Sequence, residues 1–404
     1  MFKDKLIVIG ITGSIAAYKA IELISTLKKK GADVHCVMTQ AAQEFLTPLT
    51  LRTLSQNPVI TTMFAEPQQW NVEHVGLANA ADLVIIVPAS ANIIGKVCHG
   101  LADDFLTTMT MATKAPVLFA PAMNVQMYLN PIVQNNIAAL KEQGYYFVGP
   151  ECGNLACGTD GQGRLIELPV ILAKAEELLV KEKPLQGKKV LVTAGPTWEP
   201  IDPVRFLTNR SSGRMGYAVA KQAYLLGAEV VLISGPTEIQ PFPGVQCLKI
   251  ETAQEMYEAV LAQGEDCQVI IKAAAVADYR PQSRHSEKIK KQTGDIQLEL
   301  TRNPDILAEL GKRKKNQILV GFAAETEKVL TSAAEKALKK NLDFIVANDV
   351  TREGAGFAID TNIVSFVFPD GKITSMGKMS KDDVAKVIWK EVIKELHNRS
   401  DRVG

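Results

Sequence analysis

Two apolar segments, each running directly into a glycine turn, limit what this chain can fold into. They read KLIVIGITGS near the N-terminus and KVLVTAGPT near the middle of the chain. After the first, Ala20, Ile24 and Leu27 recur at helical spacing, and Gly31 follows as a helix stop. ADVHCVMT, ADLVIIVPAS and APVLFAPAMN are further short apolar segments that each end in a polar loop. Strands that alternate with helices in this way predict a parallel, doubly wound sheet.

The pattern restarts after the charged segment KEKPLQGKK, which contains Pro184 and Gly187 and has no apolar periodicity. At 404 residues the chain is long enough for two or three domains. We therefore expect a first domain at 1–180, a linker at 181–188 and a second domain at 189–404.

Further strands are predicted in the second domain at CQVIIKAAAVADYR, NQILVGFAAET and LDFIVAND. NIVSFVFPDGKITSM predicts a hairpin about Asp370-Gly371, and KDDVAKVIWKEVIKEL predicts an amphipathic helix. The predicted class is α/β: a flavodoxin-like doubly wound parallel sheet domain, followed by a second Rossmann-like α/β domain.

Charge and composition exclude several kinds of partner. The 45 basic and 44 acidic residues are nearly balanced, which gives no reason to expect nucleic acid or a membrane surface as partner. The N-terminus lacks the features of a signal peptide, and no apolar run is long enough for a membrane span. Six scattered cysteines fit free thiols in a reducing cytoplasm. The spacing of Cys152 and Cys157 is not that of a zinc ribbon.

Polar residues follow the predicted strands of the first half. Gly13 and Ser14 lie between a strand and a helix, where backbone N–H groups and the helix dipole suit a phosphate. The alternative is a tight turn without a ligand. The motif is not the full dinucleotide fingerprint, so a mononucleotide such as FMN fits better than NAD. Ser90, Asn92 and Asn124 end later strands, with helix caps or an Asx turn as the alternative.

These motifs together resemble one family. TGSIAAYK, a helix with His74, PASANIIGK, PAMNVQMY and LACGTDGQGR are similar to the FMN-dependent phosphopantothenoylcysteine decarboxylases, although Tyr128 stands where tryptophan is usual. A histidine alone on a helix is more often structural than catalytic. The resemblance implies that the LACG segment closes over the substrate and that Cys157 donates a proton. It further implies that His74 assists oxidation of the substrate thiol and that Asn124 binds the departing carboxylate.

The same resemblance implies which residues bind the ligands of the first half. Gly13, Ser14, Thr39, Ser90 and Asn92 would contact FMN, and Met127 would contact the substrate.

The second half contains the long polar stretch TAGPTWEPIDPVRFLTNRSSGRMG, which suits an anion. The alternative is a solvated connection capped by Asn209 or Ser211. Asp278 ends a predicted strand, and the following lysine run, EKIKK, is either solvated surface or part of a site for a polyphosphate with Mg²⁺. No Walker A loop is present.

This ordered set resembles the CTP-dependent phosphopantothenate–cysteine ligases. The resemblance implies that Asn209 acts on an acyl-cytidylate intermediate and that Arg205 holds substrate. The residues it assigns to CTP are Ala273, Ala274, Ala275, Asp278, Lys288, Asn303, Pro304, Asp305, Ile306, Phe322, Lys336 and Lys340.

The order of the two resemblances is similar to that of the bifunctional bacterial enzymes of coenzyme A synthesis. It implies ligation of 4′-phosphopantothenate with cysteine, then decarboxylation to 4′-phosphopantetheine, in a cytoplasmic homo-oligomer that uses FMN, Mg²⁺ and CTP. The magnesium ligands cannot be assigned from the sequence. Two alternatives remain: an FMN-binding regulatory protein, and a peptidyl-cysteine decarboxylase with a nucleotide-binding module.

Overall fold

The computed structural model describes residues 1–64, 73–154, 158, 160–290, 296–325, 329–349 and 361–400. The chain divides into two compact units, Met1–Lys181 and Glu182–Gly404. Within the described residues, no helix combines the length and apolar character needed to cross a membrane.

The first unit alternates strands and helices from its start, as the apolar pattern predicts. Its elements are β1 (Leu6–Ile11), α1 (Lys19–Lys29), β2 (Asp33–Met38), α2 (Pro48–Ser55), β3 (Val59–Ile60), α3 (Glu73–Ala80), β4 (Leu83–Ala89), α4 (Ala91–Cys98), α5 (Phe105–Ala112), β5 (Val117–Pro121), α6 (Val125–Leu129), α7 (Pro131–Glu142), β6 (Tyr146–Phe147), β7 (Glu151–Asn154), β8 (Asp160–Arg164) and α8 (Leu168–Leu179). The turn after β1 enters α1 through a short 3-10 helix at Ile15–Tyr18.

The main sheet of the first unit is parallel and has the order β3-β2-β1-β4-β5-β6. Without the two-residue edge strand β3, this is the flavodoxin-like order. Helix α1 buries Ala20, Ile24 and Leu27, the positions that the helical spacing selects, and also Leu23. Gly31 ends the helix with a φ of +83°, a conformation that favours glycine.

The second unit repeats this plan and extends it. Its elements are β9 (Lys189–Ala194), β10 (Trp198–Pro200), β11 (Phe206–Thr208), α9 (Arg214–Leu225), β12 (Glu229–Ser234), β13 (Gln246–Lys249), α10 (Ala253–Gly264), β14 (Val269–Lys272), β15 (Tyr279–Pro281), β16 (Leu300–Arg302), α11 (Ile306–Arg313), β17 (Ile318–Glu325), α12 (Val329–Lys339), β18 (Phe344–Asp349), β19 (Thr361–Asn362), β20 (Val364–Val367), β21 (Ile373–Ser375), β22 (Met379–Ser380) and α13 (Lys381–Ser400).

The sheet order of the second unit is β13-β12-β9-β14-β17-β18-β20-β21. Its first six strands are parallel and follow the Rossmann order, and β20 and β21 add an antiparallel edge. The predicted hairpin about Asp370-Gly371 is confirmed, since β20 pairs with β21 across it. The predicted C-terminal helix is α13, in which Trp389 is fully buried and donates from Nε1 to the Val219 carbonyl at 2.8 Å. The predicted α/β class is therefore confirmed for both units.

Two details of the strand predictions are corrected. Strand β14 ends at Lys272, so the AAAVAD segment that follows it is irregular, apart from a single bridge at Ala275. Asn92 does not end a strand, because β4 stops at Ala89 and Asn92 is the second residue of α4, exposed to solvent.

Candidate functional site

In the first unit, the candidate site lies where the strand order reverses, between β1 and β4. The turn after β1 and the start of α4 are joined by Thr12, which is almost fully buried. Its Oγ1 donates to the Pro88 carbonyl at 2.7 Å and accepts from the Ser90 backbone N–H at 3.0 Å. Ligands of open α/β sheets bind at this reversal point.

In the turn predicted to bind a phosphate, Gly13 packs closely against Ala41. A Cβ on Gly13 would lie 2.7 Å from the Cβ of Ala41, so a side chain there would require the backbone to shift. The Ser14 Oγ accepts from the Ala16 N–H and donates to the Ala122 carbonyl, both at 3.4 Å, and so links the ends of β1 and β5.

Of the other predicted residues at this edge, Ser90 and Asn124 each precede a short helix, and Thr39 follows a strand. Ser90 caps α4 by accepting from the Ile93 N–H at 3.4 Å, and Asn124 caps α6 by accepting from the Gln126 N–H at 2.8 Å. The helix cap given as the alternative for Ser90 is therefore observed, and the bond of Asn124 to the N–H two residues on is that of the alternative Asx turn. Thr39 directly follows β2, and its Oγ1 donates at 3.5 Å to the Ile11 carbonyl at the end of the neighbouring strand β1.

The ribbon β7–β8 packs against the loop that carries Asn124. The Met123 N–H donates to the Gly163 carbonyl at 3.0 Å. A Cβ on Gly163 would collide with the Met123 carbonyl, so this approach requires glycine. Cys157 lies outside the described residues, in the segment that joins the two strands of this ribbon. The described part of the ribbon is thus fixed beside the loop that carries Asn124.

Two further predicted residues have contacts that do not by themselves indicate chemistry. His74 lies edge-on to the ring of Phe105, with 6.1 Å between ring centroids, which is a packing contact between α3 and α5. Met127, in α6, is 50% exposed, so its side chain is accessible to a ligand.

In the second unit, a cavity of about 460 Å³ opens at the carboxyl ends of β14 and β17. The predicted residues that line it are Asn209, Ala273, Ala274, Ala275, Asp278, Phe322, Lys336 and Lys340. An adjoining cavity of about 380 Å³ is lined by the predicted Asp278, Asn303, Pro304, Asp305, Ile306 and Lys340. Sequence positions more than a hundred residues apart are thereby brought to one place.

The larger cavity is strongly cationic. Among the described residues, the lining side chains with basic groups are Arg210, Arg214, Lys272, Lys336, Lys340 and Lys381, and the one carboxylate is that of Asp278. Such a concentration of one sign of charge in a concave site attracts polyanions.

Lys272 lies in the wall shared by the two cavities, at the end of the central strand β14. Burial, reinforced by the charge of Lys340, lowers the pKa of the Lys272 ammonium to about 8, although Asp305 and Asp278 oppose the shift. Lys340 forms an ion pair with Asp305 at 2.8 Å. Burial works against ionisation of Asp305, but Lys340 and the Ala308 N–H outweigh it, and the pKa of that carboxyl is lowered.

Two asparagines hold the irregular segment after β14 in place. The Asn209 Nδ2 donates to the carbonyls of Ala275 and Val276, each at 3.2 Å. The Asn303 Nδ2 donates to the Ala277 carbonyl at 2.8 Å. The cavity wall that follows β14 is therefore fixed from both sides by predicted site residues.

Two predicted residues are not in the lining of either cavity. Arg205 donates from Nη2 to the Ile289 carbonyl at 2.6 Å and forms an ion pair with Asp202 at 3.2 Å. Lys288, next to Ile289, is exposed. Across the described part of the chain, no group of three or more His, Cys, Asp or Glu side chains is arranged to hold a metal ion.

Sequence reasoning missed Thr12 and most of the cations in the larger cavity. Lys272 had a usable signal, since it directly follows three buried apolar residues, Val269, Ile270 and Ile271, in a strand. Lys381 had no such signal, because it begins an amphipathic helix within a cluster of charged residues. That pattern is typical of a solvent-exposed surface.

Comparisons with known proteins cover both units. Residues 1–179 match the Flavoprotein family, and residues 185–396 match the family described as DNA/pantothenate metabolism flavoprotein C-terminal domain. The chain is 48% identical over 395 residues to the coenzyme A biosynthesis bifunctional protein CoaBC of Bacillus subtilis, covering 97% of each chain. It is 40% identical over 403 residues to the protein of the same name from Escherichia coli, covering 98% of this chain and 99% of that one.

A crystal structure of the C-terminal domain of a CoaBC protein is also similar. It is 45% identical and covers 54% of this chain and 100% of its own, with a TM-score of 0.47.

Proposed function

Since this chain belongs to the family of bifunctional coenzyme A biosynthesis proteins, we propose how its two units divide the chemistry. The protein is a bifunctional enzyme of coenzyme A biosynthesis that performs a ligation and then a decarboxylation. In our proposal, the second unit joins 4′-phosphopantothenate to L-cysteine at the expense of CTP. The first unit then decarboxylates 4′-phosphopantothenoylcysteine to 4′-phosphopantetheine with FMN.

The cationic cavity of the second unit is the observation that carries the ligase assignment. A carboxylate resists attack by an amine until it is joined to a good leaving group, and transfer to CMP with loss of pyrophosphate provides one. The negative charge on the phosphates shifts during this transfer, and fixed cations stabilise it. Lys336 and Lys340 would contact the phosphates, and Mg²⁺ would accompany them near Asp278, because Mg²⁺ prefers oxygen ligands.

Asn209 would contact the activated acyl group. Its Nδ2 is bonded to the carbonyls of Ala275 and Val276, which also line the cavity, and this orients the side-chain amide so that its oxygen can accept a hydrogen bond. Phe322 and the residues Ala273–Ala275 would form the apolar wall beside the nucleotide.

In the first unit, Gly13, Ser14, Thr39, Ser90 and Asn92 are the residues proposed to hold FMN. Gly13 and Ser14 lie in the turn that leads into the helix at Ile15–Tyr18, and backbone N–H groups at such a turn suit a phosphate. When bound, the flavin supplies the oxidation of the substrate thiol that makes loss of carbon dioxide possible.

The protein's own groups would position the substrate and move a proton. Asn124 would bind the carboxylate that departs, His74 would assist removal of the thiol proton, and Met127 would contact the substrate. Cys157 would deliver a proton to the product while its segment excludes water.

Two assays test the proposal. The purified chain should have a flavin-type visible absorbance, or gain it when reconstituted with FMN. It should form the amide from 4′-phosphopantothenate and cysteine with CTP, and much more slowly with ATP. Amide formation without CTP dependence would contradict the ligase assignment, and a colourless chain that takes up no FMN would contradict the flavin assignment.

The same assays separate the two alternatives. A regulatory FMN protein would absorb but turn over neither substrate. A peptidyl-cysteine decarboxylase would act on a peptide with C-terminal cysteine and show no CTP-dependent ligation. We further propose that the enzyme works in the cytoplasm as a homo-oligomer, in keeping with its small-molecule substrates.

A further inference from the structure

The turn Ile201–Arg205 carries a carboxylate that no part of the proposed chemistry uses. Asp202 is almost fully buried, with 2% of its surface exposed, and its side chain is wholly inaccessible. A buried carboxylate is retained only when its oxygens are well paired. The partners of Asp202 therefore indicate what it holds together.

The two oxygens of Asp202 have separate partners. Oδ1 accepts from the backbone N–H groups of Val204 and Arg205, both at 2.8 Å, and so closes its own turn. Oδ2 accepts from the Ile289 N–H at 3.2 Å and pairs with the Arg205 guanidinium at 3.2 Å. The second oxygen thus reaches a segment 87 residues further along the chain.

The same segment is held at two more points. The Arg205 Nη2 donates to the Ile289 carbonyl at 2.6 Å, so that both polar backbone groups of Ile289 are bound by this pair of side chains. The His285 N–H donates to the Ile201 carbonyl at 2.9 Å. Residues 285–290, outside any helix or strand, are therefore anchored to the turn rather than by pairing within a sheet.

The charge on Asp202 is itself stabilised by this arrangement. Burial opposes ionisation, but the backbone N–H groups of Val204, Arg205 and Ile289, together with the Arg205 charge, lower the pKa of the carboxyl. Asp202 is ionised at neutral pH, when its oxygens act only as acceptors.

We propose that Asp202, acting with Arg205, is a positioning residue of the ligase that fixes the segment carrying Lys288. Lys288 directly precedes Ile289, and its own side chain is exposed, so the place of its ammonium depends on where the backbone of the segment is anchored. This inference rests on the proposed ligase function and on the family resemblance, which assigns Lys288 to CTP. A displacement of about 1 Å in such a group can lower a rate about a hundredfold.

The variant Asp202→Asn separates the two tasks of the carboxylate. An asparagine oxygen can still accept from the Val204 and Arg205 N–H groups. Its NH₂ group, however, only donates hydrogen bonds and would face the Ile289 N–H and the Arg205 guanidinium, which also only donate. Glu199→Gln is the matched control. Glu199 is also almost fully buried in this unit, but its Oε1 accepts from the Ala253 N–H at 3.0 Å, at the start of α10.

Hydrogen exchange of the full-length chain measures the anchoring directly. We expect Asp202→Asn to raise the exchange rate of the Ile289 amide about tenfold or more, and Glu199→Gln to leave it unchanged. Arg205→Ala, which removes a side chain that is 45% exposed, should also raise it and provides the test if Asp202→Asn does not fold. An unchanged Ile289 rate in the folded variants would overturn the anchoring.

Ligase kinetics with a Lys288→Met background test the positioning. Asp202→Asn should lower kcat/KM for CTP about tenfold in the wild-type background and less than about twofold when Lys288 is already methionine. Decarboxylation of supplied 4′-phosphopantothenoylcysteine should be unchanged in every variant. The positioning role would be overturned if Asp202→Asn lowered kcat/KM by the same factor in both backgrounds. It would also be overturned if Lys288→Met left ligation undiminished. CTP-dependent ligation by the wild-type chain would still uphold the proposed function in either case.

Discussion

In the first unit, the groups gathered where the strand order reverses are mostly hydroxyls, an amide and backbone N–H groups, such as Thr12, Ser14 and Asn124. In the second unit, the same reversal of strand order between β9 and β14 lies beside a cavity rich in lysine and arginine. Both sheets reverse their strand order beside their first strand, but the described residues of the two candidate sites differ in formal charge.

We attribute this difference to the group that stabilises developing charge in each proposed reaction. In the proposed decarboxylase, bound FMN would supply the redox chemistry, so the protein has to position groups and move a proton. In the proposed ligase, charge moves on phosphate oxygens, so the protein must supply fixed charges of its own. A substitution in one site should therefore impair one reaction and spare the other. The size of the loss in activity should reflect the kind of group removed.

The largest expected effect is on the proton donor of the first unit. Cys157→Ser should lower formation of 4′-phosphopantetheine by about 10²- to 10⁴-fold, the usual contribution of a general acid, while an oxidised decarboxylated product still forms. The products are measured by mass spectrometry. Cys152→Ser, in the same ribbon, is the control and should retain near-normal turnover; an equal loss in both variants would argue against a specific acid at Cys157.

A large effect in the second unit is expected from Asn209→Ala. This change removes the two hydrogen bonds to the carbonyls of Ala275 and Val276 and a polar group at the cavity, so ligase kcat/KM should fall by about 10²- to 10³-fold. Steady-state ligase assays measure it. Ser211→Ala removes a nearby hydroxyl that accepts from the Gly213 N–H and should cost less than about threefold. A matching loss of decarboxylation in Asn209→Ala would contradict the division between units.

Removal of one cavity cation should have a moderate effect. Lys340→Met takes one charge from both cavities and should raise KM for CTP about tenfold, more at low salt than at high salt. Lys312→Met is the control, because that side chain is 77% exposed and lies on the outer face of α11. Similar KM values for the two variants would mean that the cavity does not bind the triphosphate.

The smallest expected effect is the pH dependence contributed by Lys272. In the folded chain its pKa is about 8, whereas in the unfolded chain it is the ordinary 10.5. The unfolded state therefore binds more protons between these pH values, and the free energy of unfolding rises with pH across them. Between about pH 7.5 and about pH 9.5, the wild type should gain about 1 kcal/mol relative to Lys272→Met in urea unfolding. Parallel pH profiles would show that Lys272 titrates normally.

The sequence predicted the parts of this molecule that local patterns determine. Buried apolar runs placed the strands, and the glycine turns after β1 and β9 placed the reversal points. The ribbon β15–β16 was not predicted, since its three-residue strands pair across about twenty residues and have no clear alternation. Most of the residues that the family resemblance assigns to CTP line the two cavities of the second unit. Lys272 had a signal in its buried strand, whereas Asp202 required coordinates. Asp202 reads as an ordinary turn residue, and its decisive partner, Ile289, is distant in sequence.

The proposed order of the two reactions is tested most directly in a single reaction with the full-length chain, FMN, Mg²⁺, 4′-phosphopantothenate, cysteine and CTP, followed over time by mass spectrometry. We expect 4′-phosphopantothenoylcysteine to rise first, together with CMP and pyrophosphate, and then to be converted to 4′-phosphopantetheine with release of carbon dioxide. An amide that accumulates without losing its carboxylate, or decarboxylation without any prior ligation step, would contradict this expectation.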